Sequence, residues 1–502
     1  MTGRELTQQQ AARRSGVKLN LNGIWDFHPD DGDRGYPVMV PTWWDSLPET
    51  TGYPASWSRD LRHGVYLREF LLDTLDPNED IILHLDALAT LGKVSINAIP
   101  VGPSSTRGYL MTLLPYDLDV TRAVHAGRNQ IRIEIWSVKS LPTDALTSTE
   151  GPDRLLFPFG TENLVGRLGL GGDVWLSSKP KIRIEDLQII PDLGGDADPS
   201  NDLLELNATL INTSERPCDL RFRAEVRPWK SSMPKGRTVL AFNPVSCSLD
   251  PRSSKIIRLQ MAWPNAHYWS RTDPFLYVMQ AVLDIDGHVV DRAQERFGFR
   301  QFQRQGDRYL LNGTPIRLRG DSLCLLNQGS RDLINEAGDA YGLILDDNQS
   351  GQDMTKAWVD AYRHANFNIL RNHIRSVPSQ ALADRADETG MLLEEETAFW
   401  NPGSPANVQL NPPFHMSYGP EAIGHYVEWT QRWVRAYRNH PSIVLWSTTN
   451  EAWNPKDGDL LIPALQAAVH KQDGTRPVVN DGFNAPITDE DSRHYYGGYP
   501  RV

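Results

Sequence analysis

A carboxylate that could do acid–base chemistry, Glu451, and an amide beside it, Asn450, follow closely on the apolar run Ile443–Trp446. An uninterrupted apolar run is typical of a strand that is buried on both faces, as in a parallel sheet. Barrel enzymes carry catalytic groups just past the C-terminal ends of such strands, and an amide there can orient a substrate hydroxyl. From this stretch alone, a solvated loop carboxylate is the competing interpretation of Glu451.

More charged residues end predicted strands in the same way. The three carboxylates Glu394–Glu396 follow the apolar segment Met391–Leu393, and Arg371 ends the segment Asn368–Arg371. We expect at least one of the three carboxylates to face a site. Arg371 could support the catalytic carboxylates or simply neutralise charge inside a barrel. His373 is interpreted as a hydrogen-bonded structural histidine, because no clustered ligand spacing supports a metal site; no metal and no cofactor are predicted.

Strand and helix patterns alternate after residue 301, and these elements would position the polar residues. About six strands are predicted where a (β/α)₈ TIM barrel needs eight, so the barrel looks incomplete. The predicted strands are Pro315–Arg319, Asn368–Arg371, Met391–Leu393, the strand from Ile443, Pro477–Asn480 and Arg493–Tyr496. The predicted helices are Asp353–Ala365, Ser379–Glu388, His425–Tyr437 and Leu460–Val469.

The first 300 residues show short strands with turn residues between them, which favours two β-sandwiches. Gln130–Trp136 alternates apolar and polar residues, as a half-buried strand does. We predict a multidomain β plus α/β protein: a disordered lead-in at 1–18, a β-sandwich at 19–180, an immunoglobulin-like β-sandwich at 181–300 and a partial barrel at 301–502. The length of 502 residues agrees with about three domains.

Charge and composition exclude several functions. The net charge of −12 argues against a nucleic-acid or anionic-membrane partner. Neither a secretory signal nor a run of about 18 apolar residues is found, so we expect a cytoplasmic protein without a membrane partner. Cys218 and Cys247 could pair across a sandwich, but two isolated thiols are favoured. A homo-oligomer is a possible assembly.

Several short motifs together, in this order and spacing, resemble glycoside hydrolase family 2, which includes β-galactosidases, β-glucuronidases and β-mannosidases. The resemblance runs from about Leu19 to Pro500. The motifs are Leu21–Phe27, His63–Arg68, Gly127–Asn129, Gly169–Leu176, Phe297–Arg300, Leu311–Pro315, Leu318–Gly320, and His440–Trp446 followed by Asn450–Glu451.

The resemblance implies a jelly-roll-like sugar-binding domain, an immunoglobulin-like domain and a catalytic barrel. It implies a carbohydrate substrate whose O-glycosyl bond is hydrolysed with retention of configuration, by two carboxylates about 5–5.5 Å apart. Glu451 matches the general acid/base of the family, and Asn450 matches the amide that binds the sugar 2-hydroxyl. A β-galactoside is the first guess for the substrate, because that activity is the commonest in the family.

Further sugar-site residues are carried over by the same resemblance. Glu396 matches an acidic position lining the sugar site, Arg371 a supporting arginine, and His494–Tyr495 an aromatic stretch near the sixth strand. Trp453 could be a sugar platform, although packing at the barrel rim is as good an explanation.

The chain also departs from the family pattern. His373 falls one position earlier than the family histidine, and Cys324 lies where the family has polar site residues. No good nucleophile follows Glu451, and Glu490 is predicted to lie in a polar loop. We therefore expect a C-terminally truncated chain with the nucleophile beyond its end. The alternative is a non-catalytic carbohydrate-binding protein that lacks the nucleophile.

Overall fold

The structure is a computed structural model, and it describes residues 18–30, 32, 34–44, 61–147, 154–159, 168–194, 199–229, 237–264, 266–322, 359–373, 379–399, 415–452, 455–481 and 489–492. Within these ranges the chain is mostly sheet. Two β-sandwiches are followed by a parallel sheet with helices on its outside, which confirms the predicted fold class. None of the described helices has the length and apolar character needed to cross a membrane.

The first sandwich packs a four-stranded sheet against a seven-stranded one. The four strands lie in the order Lys18–Asn20, Val174–Pro180, Glu79–Leu85, Tyr116–Asp119. The seven-stranded sheet contains Tyr36–Val40, Gly23–Pro29, His63–Leu72, Gly127–Trp136, Leu91–Ile96 and Ile99–Val101 in that order, with Leu110–Met111 paired to Leu91–Ile96. Ile131, Ile133 and Ile135 are buried and alternate with more exposed residues, as predicted for a half-buried strand.

Short elements complete this region. They are the strand pair Thr42–Trp43 and Gly169–Leu170, the sheet of Leu146–Thr147, Arg154–Leu155 and His415–Met416, and the 3-10 turns Ser104–Thr106, Val138–Ser140 and Thr143–Ala145. A further 3-10 turn, Pro199–Asn201, precedes the strand Leu203–Asn212.

The second sandwich has a three-stranded and a five-stranded sheet. The three-stranded sheet contains Ile182–Asp192, Leu203–Asn212 and Ser253–Ala262 in that order. The five-stranded sheet contains Leu240–Ala241, Cys218–Pro228, Tyr277–Ile285 and His288–Phe297 in that order, with Val245–Leu249 also paired to Cys218–Pro228. Cys218 and Cys247 lie on neighbouring strands of one sheet and are free thiols, so they do not pair across the sandwich.

The barrel sheet has six parallel strands in the described part of the chain. They are β1 (Gly320–Ser322), β2 (Ile369–Asn372), β3 (Leu392–Glu396), β4 (Ile443–Asn450), β5 (Val478–Asp481) and β6 (Glu490–Ser492), in this spatial order. The helices are α1 (Ser379–Thr389), α2 (Pro420–Tyr437) and α3 (Ile462–Gln472); residues 359–364 are also helical, and a π-helical turn, Asp457–Leu461, precedes α3.

The entry to the barrel differs from the prediction. Pro315–Arg319 is not a barrel strand: Thr314–Ile316 pairs antiparallel with Arg308–Leu311, which also pairs with Phe302–Gln305. Asn312 and Gly313 both have positive φ, as a two-residue hairpin loop requires, so the Asn-Gly pair was a hairpin signal that the strand prediction overlooked.

The last strand also begins earlier than predicted. β6 starts at Glu490, so the assignment of Glu490 to a loop was wrong. It pairs in parallel with β5, from Val479 opposite Glu490 to Asp481 opposite Ser492. Residues 493–496, the predicted strand, lie outside the described residues.

Helix α2 holds β4 in place. Its aromatic residues recur at helical spacing and are all buried, which follows from the apolar stripe seen in the sequence. The Trp433 ring packs edge-on against Trp446 of β4, with centroids 4.8 Å apart. The Trp429 Nε1 donates to the Thr112 carbonyl of the first sandwich at 2.8 Å. The strand that carries Asn450 is therefore packed against a helix that is itself anchored to the first sandwich.

Candidate active site

Polar side chains from four neighbouring strands meet at the C-terminal edge of the barrel sheet. Side chains alternate along a strand, so Glu394 and Glu396 of β3 share one face. Glu395 faces the other way and accepts a hydrogen bond from Asn372 Nδ2 at 3.2 Å. We call the group on the inner face the edge cluster; it consists of Arg371, His373, Glu394, Glu396, Ser447, Asn450 and Asp481.

Arg371 is the centre of the edge cluster. Its Nε and Nη2 both donate to Glu396 Oε2, the former at 3.0 Å, and Nη2 also donates to Asn450 Oδ1 at 2.8 Å. Its Nε lies 3.2 Å from Asp481 Oδ2 and 3.5 Å from Glu394 Oε1. Burial lowers the pKa of Arg371, but the three carboxylates around it outweigh burial and raise that pKa.

Glu396 is the carboxylate with the most donors. Its side chain is fully buried, and besides Arg371 it is bonded to His373 Nδ1 at 2.8 Å and to Ser447 Oγ at 2.7 Å. Ser447 Oγ also lies 2.9 Å from Asp481 Oδ2, so its single proton serves one of the two carboxylates at a time. Because of these bonds, we interpret Glu396 as the carboxylate that holds Arg371 in place and not as a mobile acid.

An irregularity in β4 brings two of its residues to the cluster. Ser447 is opposite Val479 while Asn450 is opposite Asp481, so β4 has one more residue than β5 between these pairs. Such a bulge re-aims side chains and is common beside active sites. In a regular strand, residues three apart face opposite sides of the sheet. The bulge lets both Ser447 and Asn450 face the cluster, where Asn450 contacts Arg371 and Ser447 contacts Glu396 and Asp481.

Glu394 has too few donors for its charge. Its side chain is 16 % exposed, and burial, followed by the charge of Asp481, raises its pKa well above the ordinary range despite the opposing effect of Arg371. The interaction of Glu394 with Asp481 through a side-chain hydrogen bond acts in the same direction on this pKa. The surroundings of Glu394 therefore favour the neutral acid.

Glu451 lies at the first position after β4. It has a φ of 53°, a left-handed conformation that is uncommon for residues other than glycine. Its backbone N–H donates to the Asp481 carbonyl at 2.7 Å, which ties the turn after β4 to the end of β5. Its side chain is partly buried, whereas the neighbouring Asn450 is buried.

The structure thus brings together Glu451, Asn450, Glu396 and Arg371 among the residues predicted from the sequence. Trp453, His494 and Tyr495 lie outside the described residues. Sequence reasoning missed Asp481 and Ser447. Asp481 comes immediately after the predicted strand Pro477–Asn480, so the rule that selected Glu451 could have found it. Ser447 lies inside β4, opposite Glu396 of β3, where a rule about strand ends does not apply.

Two groups of residues in the described part of the chain have the ligand types of a metal site. Oxygens of Glu394, Glu396 and Asp481 lie within 4.8 Å of one another, and so do ligand atoms of Asp384, Asp387 and His440. In each group an arginine, Arg371 or Arg296, contacts the carboxylates. Because a guanidinium already supplies the positive charge, we assign no metal to either group.

Comparison with family models gives two matches. Residues 350–501 match "Glycosyl hydrolases family 2, TIM barrel domain", and residues 182–300 match "Glycosyl hydrolases family 2". Together they cover just over half of the chain.

Curated relatives and solved structures point the same way. The chain is 25 % identical over 380 residues to a β-galactosidase of Pectobacterium atrosepticum, covering 74 % of this chain and 31 % of the relative. For a β-galactosidase of Psychromonas ingrahamii the identity is 24 % over 431 residues, covering 84 % and 36 %. The chain thus spans about a third of the length of these relatives.

Two solved structures share the fold. A family 2 β-galacturonidase of Eisenbergiella tayi has a TM-score of 0.67 at 18 % identity, covering 93 % of this chain and 71 % of its own. A β-glucuronidase of Bacteroides uniformis has a TM-score of 0.67 at 18 % identity, covering 94 % and 53 %.

Proposed function

Because the chain belongs to glycosyl hydrolase family 2, we propose that its barrel edge is the active site of a β-glycosidase that acts with retention of configuration. The observation that carries this proposal is the position of Glu451: it follows β4 directly, in a strained conformation fixed by the Asp481 backbone, beside the edge cluster. A carboxylate at this edge of a parallel barrel strand has the place of a catalytic group.

Glu451 is assigned the general acid/base. It would protonate the leaving oxygen of the glycoside and then take a proton from the attacking water.

Asn450 is assigned the contact with the sugar. Its Oδ1 accepts a hydrogen bond from Arg371, which fixes which end of the amide faces the arginine. Its Nδ2 has no hydrogen bond in the part of the chain that the structure describes. That amide group is therefore placed to donate to a sugar hydroxyl, in agreement with the role implied by the family resemblance. Arg371 and Glu396 support it as positioning residues.

The second carboxylate of a retaining mechanism is not assigned to the edge cluster. Glu396 is fully buried and bonded to three side chains, and Asp481 contacts Arg371 and Ser447. Burial and the charge of Asp481 raise the pKa of Glu394 well above its usual range, which disfavours its ionised form. A nucleophile must be ionised and must reach the anomeric carbon. We therefore assign the nucleophile to sequence outside the described residues.

A β-galactoside is the proposed substrate, supported by the activity named for the curated relatives. The β-sandwich at 19–180 would help to bind the sugar, the sandwich at 181–300 would be immunoglobulin-like and structural, and the barrel from 301 onward would do the chemistry.

Hydrolysis of aryl β-galactoside, β-glucuronide and β-mannoside by the purified protein tests the proposal. We expect turnover of the galactoside by protein that includes the nucleophile, and in that protein Glu451→Gln should lower kcat at least about 100-fold, because general acid–base catalysis contributes that much. Glu69→Gln is a matched control, since Glu69 is a surface residue of the first sandwich that pairs with Arg128. Turnover unchanged in Glu451→Gln would refute the site assignment.

The competing function is a carbohydrate-binding protein without catalysis, favoured because none of the acids of the edge cluster is assigned as the second catalytic carboxylate. It predicts no turnover of any of the three substrates together with retained galactoside binding. Equilibrium binding of a non-hydrolysable thiogalactoside, measured by calorimetry, distinguishes this case from a protein that does neither.

A further inference from the structure

A cavity of about 380 Å³ lies at the junction between the second sandwich and the barrel. One wall is the outer face of the three-stranded sheet, with Gln188, Glu205 and Gln260. The other wall is formed by the segments that precede β4 and β5, with Arg438 and Arg476, and Arg300 lines the space between the walls. The cavity lies at the N-terminal end of β4, so the length of that strand separates it by roughly 25 Å from Glu451.

Arg300 is a buried cation bonded to backbone carbonyls. Its Nε donates to the Pro441 carbonyl at 2.8 Å and its Nη2 to the Ile443 carbonyl at 2.5 Å. No carboxylate of the described residues forms an ion pair with it, and Nη1 has no partner there. Burial, with the charge of neighbouring Arg476 added, lowers the pKa of Arg300 well below its usual range. A guanidinium with neutral partners is costly to bury.

Arg438 supplies a second unused donor. Its side chain is only 6 % exposed, its Nη2 contacts Asp186, and its Nη1 bonds to Gln472 Oε1 at 3.1 Å. Its Nε is buried and makes no hydrogen bond. Unsatisfied buried donors are rare in folded proteins, so Arg438 is an incompletely bonded cation in the cavity wall.

The opposite wall has the reverse character. Glu205 and, at the end of the strand Ile182–Asp192, Asp192 contribute carboxylates, and Gln188 and Gln260 contribute amides. A bare anion would satisfy the arginine wall but would meet carboxylates across the cavity. A molecule with an acid group at one end and hydroxyl groups at the other would satisfy both walls.

We propose that this cavity binds a small hydroxylated carboxylic acid, with its carboxylate toward Arg300 and Arg438 and its hydroxyls toward Glu205 and Gln260. The volume is within the range of small-molecule sites in proteins. The ligand would lie between sandwich and barrel and would contact both, so its binding would stabilise their junction.

Calorimetric titration of the full chain with gluconate, phosphate and sorbitol tests the proposal. Gluconate combines the acid and the hydroxyls, and the other two probes carry one feature each. We expect gluconate to bind most tightly, phosphate more weakly and sorbitol not at millimolar concentration. Absence of binding by both anions, or equal binding of sorbitol and gluconate, would overturn the proposal.

Two variants locate the site without removing a core residue. Gln260→Glu adds a carboxylate to an exposed residue of the cavity wall and should weaken gluconate binding about tenfold, the effect of one like charge at partly solvated distance. Gln294→Glu makes the same change at an exposed residue of the other sheet of this sandwich and should leave binding unchanged. If gluconate binds at the barrel edge instead, its affinity will be the same in both variants as in the native sequence, and that result would refute the assignment.

Arg438→Lys completes the test. The lysine keeps a cation opposite Asp186 but has no atom equivalent to Nε. We expect gluconate affinity to fall about tenfold while the circular dichroism of the protein is unchanged. Unchanged affinity in this variant would contradict the proposed orientation of the carboxylate toward Arg438.

Discussion

Two clusters of the same residue types lie at opposite ends of the barrel strands. The edge cluster has one arginine, one histidine and three acidic residues. The second, which we call the junction cluster, also has one arginine, one histidine and three acidic residues, where the second sandwich meets the barrel. Its members are Arg296, Asp384, Asp387, Glu388, His440 and Ser442.

The clusters differ in how the donors are distributed. In the junction cluster Asp387 is hydrogen-bonded to His440 Nδ1 at 2.7 Å and to both the N–H and the Oγ of Ser442. Asp384 forms an ion pair with Nη2 of Arg296, and Glu388 forms one with Nη1. Burial acts to raise the pKa of Asp387, but His440, Arg296 and Ser442 outweigh it, and the pKa is lowered.

In the edge cluster the donors are concentrated on one acid. Glu396 is hydrogen-bonded to Arg371, His373 and Ser447, whereas the pKa of Glu394 is raised. Composition therefore does not separate a scaffold from a site. An acid deprived of donors at an accessible edge is available for a ligand, whereas a cluster in which the buried acid is fully bonded serves the fold.

The largest effect is expected from breaking the junction cluster. Arg296→Met would leave Asp384 and Asp387 buried without their guanidinium, which costs about 3–5 kcal/mol for a buried pair. Urea unfolding followed by tryptophan fluorescence measures it. Arg223→Met is the control, since Arg223 pairs with Asp284 but is 45 % exposed, and should cost less than about 1 kcal/mol. Equal shifts in the two variants would contradict the proposed role of the junction.

This contrast also shows what the sequence could and could not predict. Strand-end rules found Arg371, Asn450, Glu451 and the group Glu394–Glu396, because each follows or ends an apolar segment, and the family resemblance singled out Glu396 within that group. Arg296 left no such signal. It lies on an outer strand of a sandwich, and only the packing of that sandwich against α1 gives it partners.

Element boundaries show a similar division. The aromatic stripe of α2 was visible in the sequence because burial imposes a helical period. The first barrel strand was misplaced because Thr314–Ile316 is apolar enough for a strand, and only the Asn312–Gly313 loop reveals its antiparallel partner. The bulge in β4 depends on the register with β5, and register is a property of two segments that neither sequence shows alone.

A third cluster, on the first sandwich, extends the comparison to a titratable cation. His84 lies between Asp117, 2.5 Å from its Nδ1, and Asp86, 2.7 Å from its Nε2, and its ring stacks on Trp175. Burial lowers the pKa of His84, but hydrogen bonds and charges of the two aspartates outweigh burial and raise it to about 9.

The protonated His84 therefore stabilises the fold at neutral pH. Its contribution is fully present below the unfolded pKa of about 6.5, is lost as pH rises through about 9, and amounts to at most about 3 kcal/mol. We expect the unfolding free energy to fall between pH 6.5 and 9.5, and His84→Gln to flatten this fall. His125→Gln, which removes an exposed histidine of the same sandwich, should not. Equal slopes in all three proteins would refute the assignment.

The smallest effect is expected at Glu394, and it tests the comparison most directly. A protonated Glu394 is mimicked by glutamine, so at pH 5 Glu394→Gln should change the unfolding free energy by less than about 1 kcal/mol. Glu396→Gln, on the same face of β3, removes the charged partner of Arg371 and should cost about 2–3 kcal/mol.

The pH dependence gives the sign of the Glu394 contribution. Above the unfolded pKa of about 4.3 the unfolded chain releases this proton while the folded protein retains it, so stability falls as pH rises. Glu394→Gln should remove that component, and the variant should become more stable relative to the native sequence between pH 5 and 8. Chemical unfolding across this range measures the difference. A variant that loses stability with rising pH as steeply as the native sequence would show that Glu394 is ionised, and the two clusters would then differ in position but not in the state of their acids.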